Sequence, residues 1–114
     1  MKRFKYAFNG IFFAFKTQAN IRIHTFVSVL VISAGFVFKI NPLEWLFISF
    51  AIGLVLSAEL FNTAIESLVD QVSPSYSEKA GLIKDVAAGA VLIAAVVSVI
   101  TGVIVFLPKI IEII

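Results

Sequence analysis

Apolar positions along this chain fall into two regimes, one periodic and one continuous. At the N-terminal end Phe4, Phe8, Ile11, Phe12 and Phe15 follow helical spacing, with Lys2, Lys5, Asn9 and Lys16 between them. That pattern predicts a basic amphipathic helix from Phe4 to about Gln18, lying in a membrane interface. Beyond it the polar positions thin out. Thr25 to Phe38 carries no charge and is the first candidate span, but it is short for a hydrocarbon core that takes roughly 20 residues. Either Arg22 and Lys39 snorkel to complete it, or the helix continues upstream through Asn20. Asn41-Pro42-Leu43-Glu44 predicts a helix start: a capping Asn, a Pro at the first helical position and a Glu at the capping-box position. A helix from Pro42 to Asp70 would be about 42 Å long at 1.5 Å per residue, longer than a core of about 30 Å. Gln71 to Asp85 is polar, is punctuated by Ser73-Pro74 and Gly81, and is expected to be a loop. Val86 to Leu107 is uncharged, long enough to cross, and closed by Pro108 and Lys109. Its small residues Ala87, Ala88, Gly89, Ala90, Ala94 and Ala95 suit close helix packing.

Composition changes the picture from helical to membrane-embedded. Of 114 residues, 61% are hydrophobic and 14% charged, against roughly 45–50% and 25% in soluble domains. The expectation is one all-α integral-membrane domain over residues 1–114, with three transmembrane helices and an N-terminal surface helix. There is no cysteine, so disulfides and thiolate metal sites are excluded. A net charge of +2 is too mild to argue for nucleic acid. The start of the chain, MKRFKYAFNG, lacks the apolar core and small-residue cleavage site of a signal peptide. Lys2, Arg3, Lys5, Lys16 and Arg22 lie before the first span and Lys79 and Lys84 between the second and third. Only Lys39 and Lys109 lie at the opposite ends. Positive-inside logic therefore places the N-terminus and the 71–85 segment in the cytoplasm. Trp45 reads as an interface anchor, as do Arg22 and His24.

The polar exceptions inside the second span carry the chemistry. Glu59, Asn62, Thr63, Glu66 and Asp70 fall within an arc of about 100° on one helix face. Glu59 lies about 26 Å along the helix and Glu66 about 36 Å, so the acidic face straddles one membrane surface. Acidic groups in a span are costly and mark a functional site by default. Hard oxygen donors favour Mg²⁺ over soft transition metals. No Gly-x-x-x-x-Gly-Lys loop, Gly-x-Ser-x-Gly elbow or His-Glu-x-x-His pair occurs, which excludes the commonest nucleotide, esterase and zinc sites. Two readings stay open on residues alone. One is phosphoryl transfer, with carboxylates for Mg²⁺, Lys84 for phosphate charge and a base at lipid depth. The other is a proton or cation path through an oligomer.

The run Glu59-x-x-Asn62-Thr63-Ala64-Ile65-Glu66-x-x-x-Asp70 resembles the signature of the small bacterial membrane lipid kinases, the diacylglycerol and undecaprenol kinase family. Lys84-Asp85 followed by Ala87-Ala88-Gly89-Ala90-Val91-Leu92 is similar to the family's second block, and Asn20-x-Arg22-Ile23-His24 to a third, found in the undecaprenol branch. Tyr6 and Gly10 match positions of its surface helix. The resemblance implies a homotrimer in the bacterial cytoplasmic membrane, with active sites shared between subunits and facing the cytoplasm. It implies phosphorylation of a lipid hydroxyl, on diacylglycerol or undecaprenol, with ATP and Mg²⁺. It makes Glu59 the general base and Glu66 a Mg²⁺ ligand, with Asn62 and Asp70 supporting the site. Lys84 and Asp85 contact the nucleotide, and Tyr6 and Tyr76 border it. One position departs: the family often has a glutamate as second metal ligand where this chain has Gln18, whose neutral amide oxygen matches the cation's charge less well. This chain also has Leu82 after Gly81, where some relatives carry a basic residue.

Overall fold

The computed structural model describes residues 2–114. They form four helices: α1 Lys2–Thr17, α2 Ala19–Val37, α3 Pro42–Val72 and α4 Glu78–Ile113. Three of them, α2, α3 and α4, are long and apolar enough to cross a membrane. The fold is thus all-α and membrane-embedded. Helix α1 buries only Ala14, and Phe4, Phe8 and Phe12 all stand exposed. An outward phenylalanine face fits a helix that rests on lipid.

Gln18 alone separates α1 from α2, in an extended conformation (φ −116°, ψ 116°). The break works because Arg22, on the first turn of α2, folds back. Its Nη1 donates to the Phe15 carbonyl at 2.8 Å and the Lys16 carbonyl at 3.0 Å. These are end-of-helix acceptors with no intrahelical donor. The first span therefore starts at Ala19, upstream of Thr25, which settles the two alternatives in favour of the longer helix. Arg22 fastens the junction of α1 and α2.

At the far end α2 closes with Phe38 and Ile40 N–H groups bonded to the Ala34 and Gly35 carbonyls, and Lys39 takes a left-handed φ of 54°. The α3 start forms as its residues predict. Asn41 Oδ1 accepts from the Glu44 N–H at 2.8 Å, and Glu44 Oε1 accepts from the Asn41 N–H at 3.0 Å. Trp45 lies against Gly35, where an added Cβ would come within 2.6 Å of the indole. It also meets the Phe36 ring at 4.9 Å between centroids. Trp45 thus packs the α2–α3 hairpin as a half-buried group. Ile40, Ile48 and Val105 form the apolar core beneath it.

Two expected boundaries move. The polar loop is 73–77 rather than 71–85, because Ser77 caps α4, its Oγ accepting from the Ala80 N–H at 3.1 Å, and Glu78 opens the first turn. Polar residues 78–85 are the exposed opening turns of a helix. At the other end α4 does not stop at Leu107; it passes through Pro108 to Ile113. Lys109, just beyond, donates to Glu44 Oε2 at 2.6 Å and to the Val105 carbonyl at 3.3 Å, tying the extension to the start of α3. The principal packing is α3 on α4, where Ala87 and Ala94 are buried and Ser98 Oγ donates to the Ala51 carbonyl at 3.1 Å. Ala88 and Ala90 face outward.

Candidate active site

The buried seam of α3 changes chemistry part-way along. Ile48, Ala51 and Val55 are followed at the same helical spacing by Glu59, Asn62 and Thr63. Glu59 is only 3% exposed. A carboxylate taken out of water needs a partner, and α2 supplies one: His24 Nε2 stands 3.2 Å from Glu59 Oε1. One turn further on, Asn62 Nδ2 donates to Glu66 Oε1 at 2.8 Å. That bond fixes the amide so that its Oδ1 is buried with no hydrogen-bond partner. Near the end of α3 the exposed Asp70 pairs with Lys84 Nζ at 2.5 Å, which binds the last turns of α3 to the second turn of α4. The expected acidic face is therefore three linked pairs in a row, running from buried to exposed.

The remaining expected residues are not drawn into this row within one chain. Tyr6 stands exposed on α1, and Tyr76 is the most exposed large side chain of the 73–77 loop. The Tyr76 ring lies over Gly81, 3.2 Å from where a Cβ would be, so that glycine makes room for it. Asp85 is exposed on α4. Gln18 is half-buried at the α1–α2 break, and its side chain makes no capping bond. Among the described residues no group of three or more His, Asp and Glu side chains gathers around one point. Asn62 and Glu66 are hydrogen-bonded neighbours and Asn62 Oδ1 has no partner, so the oxygen donors on offer in this stretch are Glu66 and Asn62 Oδ1. That set suits a hard divalent cation such as Mg²⁺, which takes one or two protein ligands and keeps the rest of its shell for water and phosphate.

The contact missing from the sequence reading is His24, assigned there to interface anchoring. The structure turns it toward Glu59. Its signal was register: His24 lies one turn and a half into α2, and the α2–α3 hairpin is tight, so α2 residues near its start oppose α3 residues near Glu59. Beside it runs a cleft of about 370 Å³ between α2, α3 and α4, walled by Val27, Val55, Ala95 and Val99, with His24 and Ser28 among its lining.

Sequence comparisons agree with this architecture. Residues 5–106 match the family described as prokaryotic diacylglycerol kinase. A diacylglycerol kinase of Synechocystis sp. is 44% identical over 110 residues, which is 96% of this chain but 63% of that protein. This chain thus spans under two thirds of that relative's length. An undecaprenol kinase of Bacillus subtilis is 40% identical over 108 residues, covering 95% of this chain and 88% of its own. A diacylglycerol kinase of Escherichia coli is 30% identical over 96 residues, 84% of this chain and 79% of its own. By the extent of these matches, this chain belongs to the prokaryotic diacylglycerol kinase family.

Proposed function

We propose that the protein is a lipid kinase that transfers the terminal phosphoryl group of ATP to the hydroxyl of diacylglycerol or undecaprenol. In this reading it works with Mg²⁺ as a homotrimer, on the cytoplasmic face of the bacterial inner membrane. The observation that carries the reading is the continuation of the apolar α3 seam into Glu59, Asn62 and Glu66. In this reading a lipid hydroxyl reaches the buried Glu59 carboxylate from the membrane and a nucleotide approaches from water. Relatives named for both lipids support the substrate class.

The chemistry follows from the residues. Glu59 accepts the hydroxyl proton as the lipid oxygen forms its bond to the terminal phosphorus, and the bond to the ADP oxygen breaks. Glu66 and Asn62 Oδ1 would hold Mg²⁺, which when bound neutralises charge on the phosphate oxygens. Lys84, held by Asp70 at the water-exposed end, offers a cation to the nucleotide, with Asp85, Tyr6 and Tyr76 bordering it. Gln18 would be a second, neutral oxygen donor toward the cation. The apolar cleft beside His24 suits an acyl or prenyl chain. A shared site agrees with the distribution of the parts: Tyr6 and Gln18 stay apart from the α3 row in a single chain, and Asn62 Oδ1 lacks a partner there.

The test is phosphorylation in mixed micelles with Mg²⁺ and ATP, offering diacylglycerol and undecaprenol side by side. Transfer to either lipid supports the reading and names the preferred acceptor. Folded protein that transfers to neither, yet passes ions across liposomes without ATP, overturns it in favour of an ion path along the acidic stripe.

A further inference from the structure

We propose that His24 is a positioning residue for Glu59, holding one carboxylate oxygen across the α2–α3 interface so that the other faces the lipid hydroxyl. The inference rests on the kinase reading above and deepens it. Its basis is the 3.2 Å approach of His24 Nε2 to Glu59 Oε1 and the way the neighbouring donors are spent elsewhere. Asn62 Nδ2 is committed to Glu66 and Lys84 to Asp70. Among the described residues, His24 is the only basic side chain within 4.0 Å of the Glu59 carboxylate.

The backbone that carries the imidazole is well held. Ile21, one turn before it, is buried at 4% exposure. Ser28 Oγ donates to the His24 carbonyl at 2.7 Å, and Thr25 Oγ1 donates to the Ile21 carbonyl at 2.8 Å. Arg22 locks the start of the same helix onto α1. The His24 side chain is 27% exposed while Glu59 is 3% exposed, so the histidine reaches from the cleft side toward a carboxylate that is otherwise enclosed. A lone glutamate on a helix samples several rotamers, and only some present an oxygen to an incoming hydroxyl. Fixing one oxygen to a neighbouring helix selects among them, as an orienting third group does for a base. A partner at this remove from the reacting atoms is worth roughly 10–100-fold in metal sites, the nearest measured analogy.

The experiment uses the full-length chain in mixed micelles, with both lipids, Mg²⁺ and ATP, and compares His24→Leu, His24→Asn and His24→Gln. A glutamine amide nitrogen reaches about as far as Nε2, whereas an asparagine amide falls short. The expected result is a kcat loss of roughly 10–100-fold for His24→Leu and His24→Asn, with KM for ATP within about twofold of wild type. His24→Gln recovers most of kcat. Thermal melting in the same detergent supplies the second readout. Three results overturn the inference while leaving the kinase reading intact: wild-type kcat in His24→Leu; losses in His24→Gln as deep as in His24→Leu, which make the imidazole a proton carrier; and losses that vanish when activity is scaled to the folded fraction, which make it a packing residue. Wild-type protein inactive toward both lipids overturns the kinase reading and this inference with it.

Discussion

Glu59 and Glu66 lie on one face of α3, yet their surroundings differ in a way that fits the different work proposed for them. Glu59 is enclosed at 3% exposure and meets an imidazole; Glu66 is half-buried and accepts from an amide. A base needs to be dry and aimed, whereas a metal ligand needs room for a cation and its waters. Glu59→Gln keeps the side chain's shape and removes its capacity to take a proton. That variant should lose about 10²–10⁴-fold in kcat with KM for ATP little changed, as steady-state kinetics in micelles will show. Gln18 makes the complementary case. Replacing it with glutamate adds a charge at the α1–α2 break, so Gln18→Glu should lower the Mg²⁺ concentration for half-maximal activity. A Mg²⁺ titration at fixed ATP that leaves that concentration unmoved would remove Gln18 from the metal site.

Helix ends, more than helix interiors, decide how these residues meet. The start of α3 was legible because Asn41, Pro42 and Glu44 each have a local reason to be there, and the capping box forms with both bonds. The acidic face was legible too, since helical spacing alone puts Glu59, Asn62 and Glu66 on one side. Two boundaries were not. Residues 78–85 look like loop by polarity, but exposed first turns are polar in the same way, and only the Ser77 cap tells them apart. Pro108 looks like a stop, yet the tie from Lys109 to Glu44 holds α4 together past it; that contact is tertiary and leaves no local trace. His24 was invisible as a site residue for the same reason, because its partner lies on another helix. The packing of the hairpin makes its own test. Gly35→Ala forces a methyl into the Trp45 indole, a small-to-large change that should cost about 1–3 kcal/mol. Melting in detergent should fall accordingly. Activity per folded molecule should hold, because Trp45 lies about 21 Å along α3 from Glu59.

Across the whole molecule, charge and length bear on the orientation that the proposed chemistry requires. At 31 residues, α3 is about 46 Å long, some 16 Å more than a hydrocarbon core of about 30 Å. Its surplus falls at the acidic end, since α3 begins at a tight hairpin and ends in the 73–77 loop. Lys2, Arg3, Lys5, Lys16 and Arg22 precede or open α2, and Lys79 and Lys84 lie in the first two turns of α4 after that loop, so the basic residues gather at the acidic end of the bundle. At the hairpin end stand only Lys39 and Lys109, the latter paired with Glu44. The orientation that positive-inside logic predicts has the loop and the Asp70–Lys84 pair inside, where the proposed kinase would meet ATP, and the hairpin outside. The absence of native cysteine makes the check clean. In intact cells, Lys39→Cys at the hairpin should react with a membrane-impermeant maleimide, while Ser75→Cys in the loop should react only after the membrane is opened. The reverse pattern would put the acidic row on the side without nucleotide, and a kinase cannot work from there.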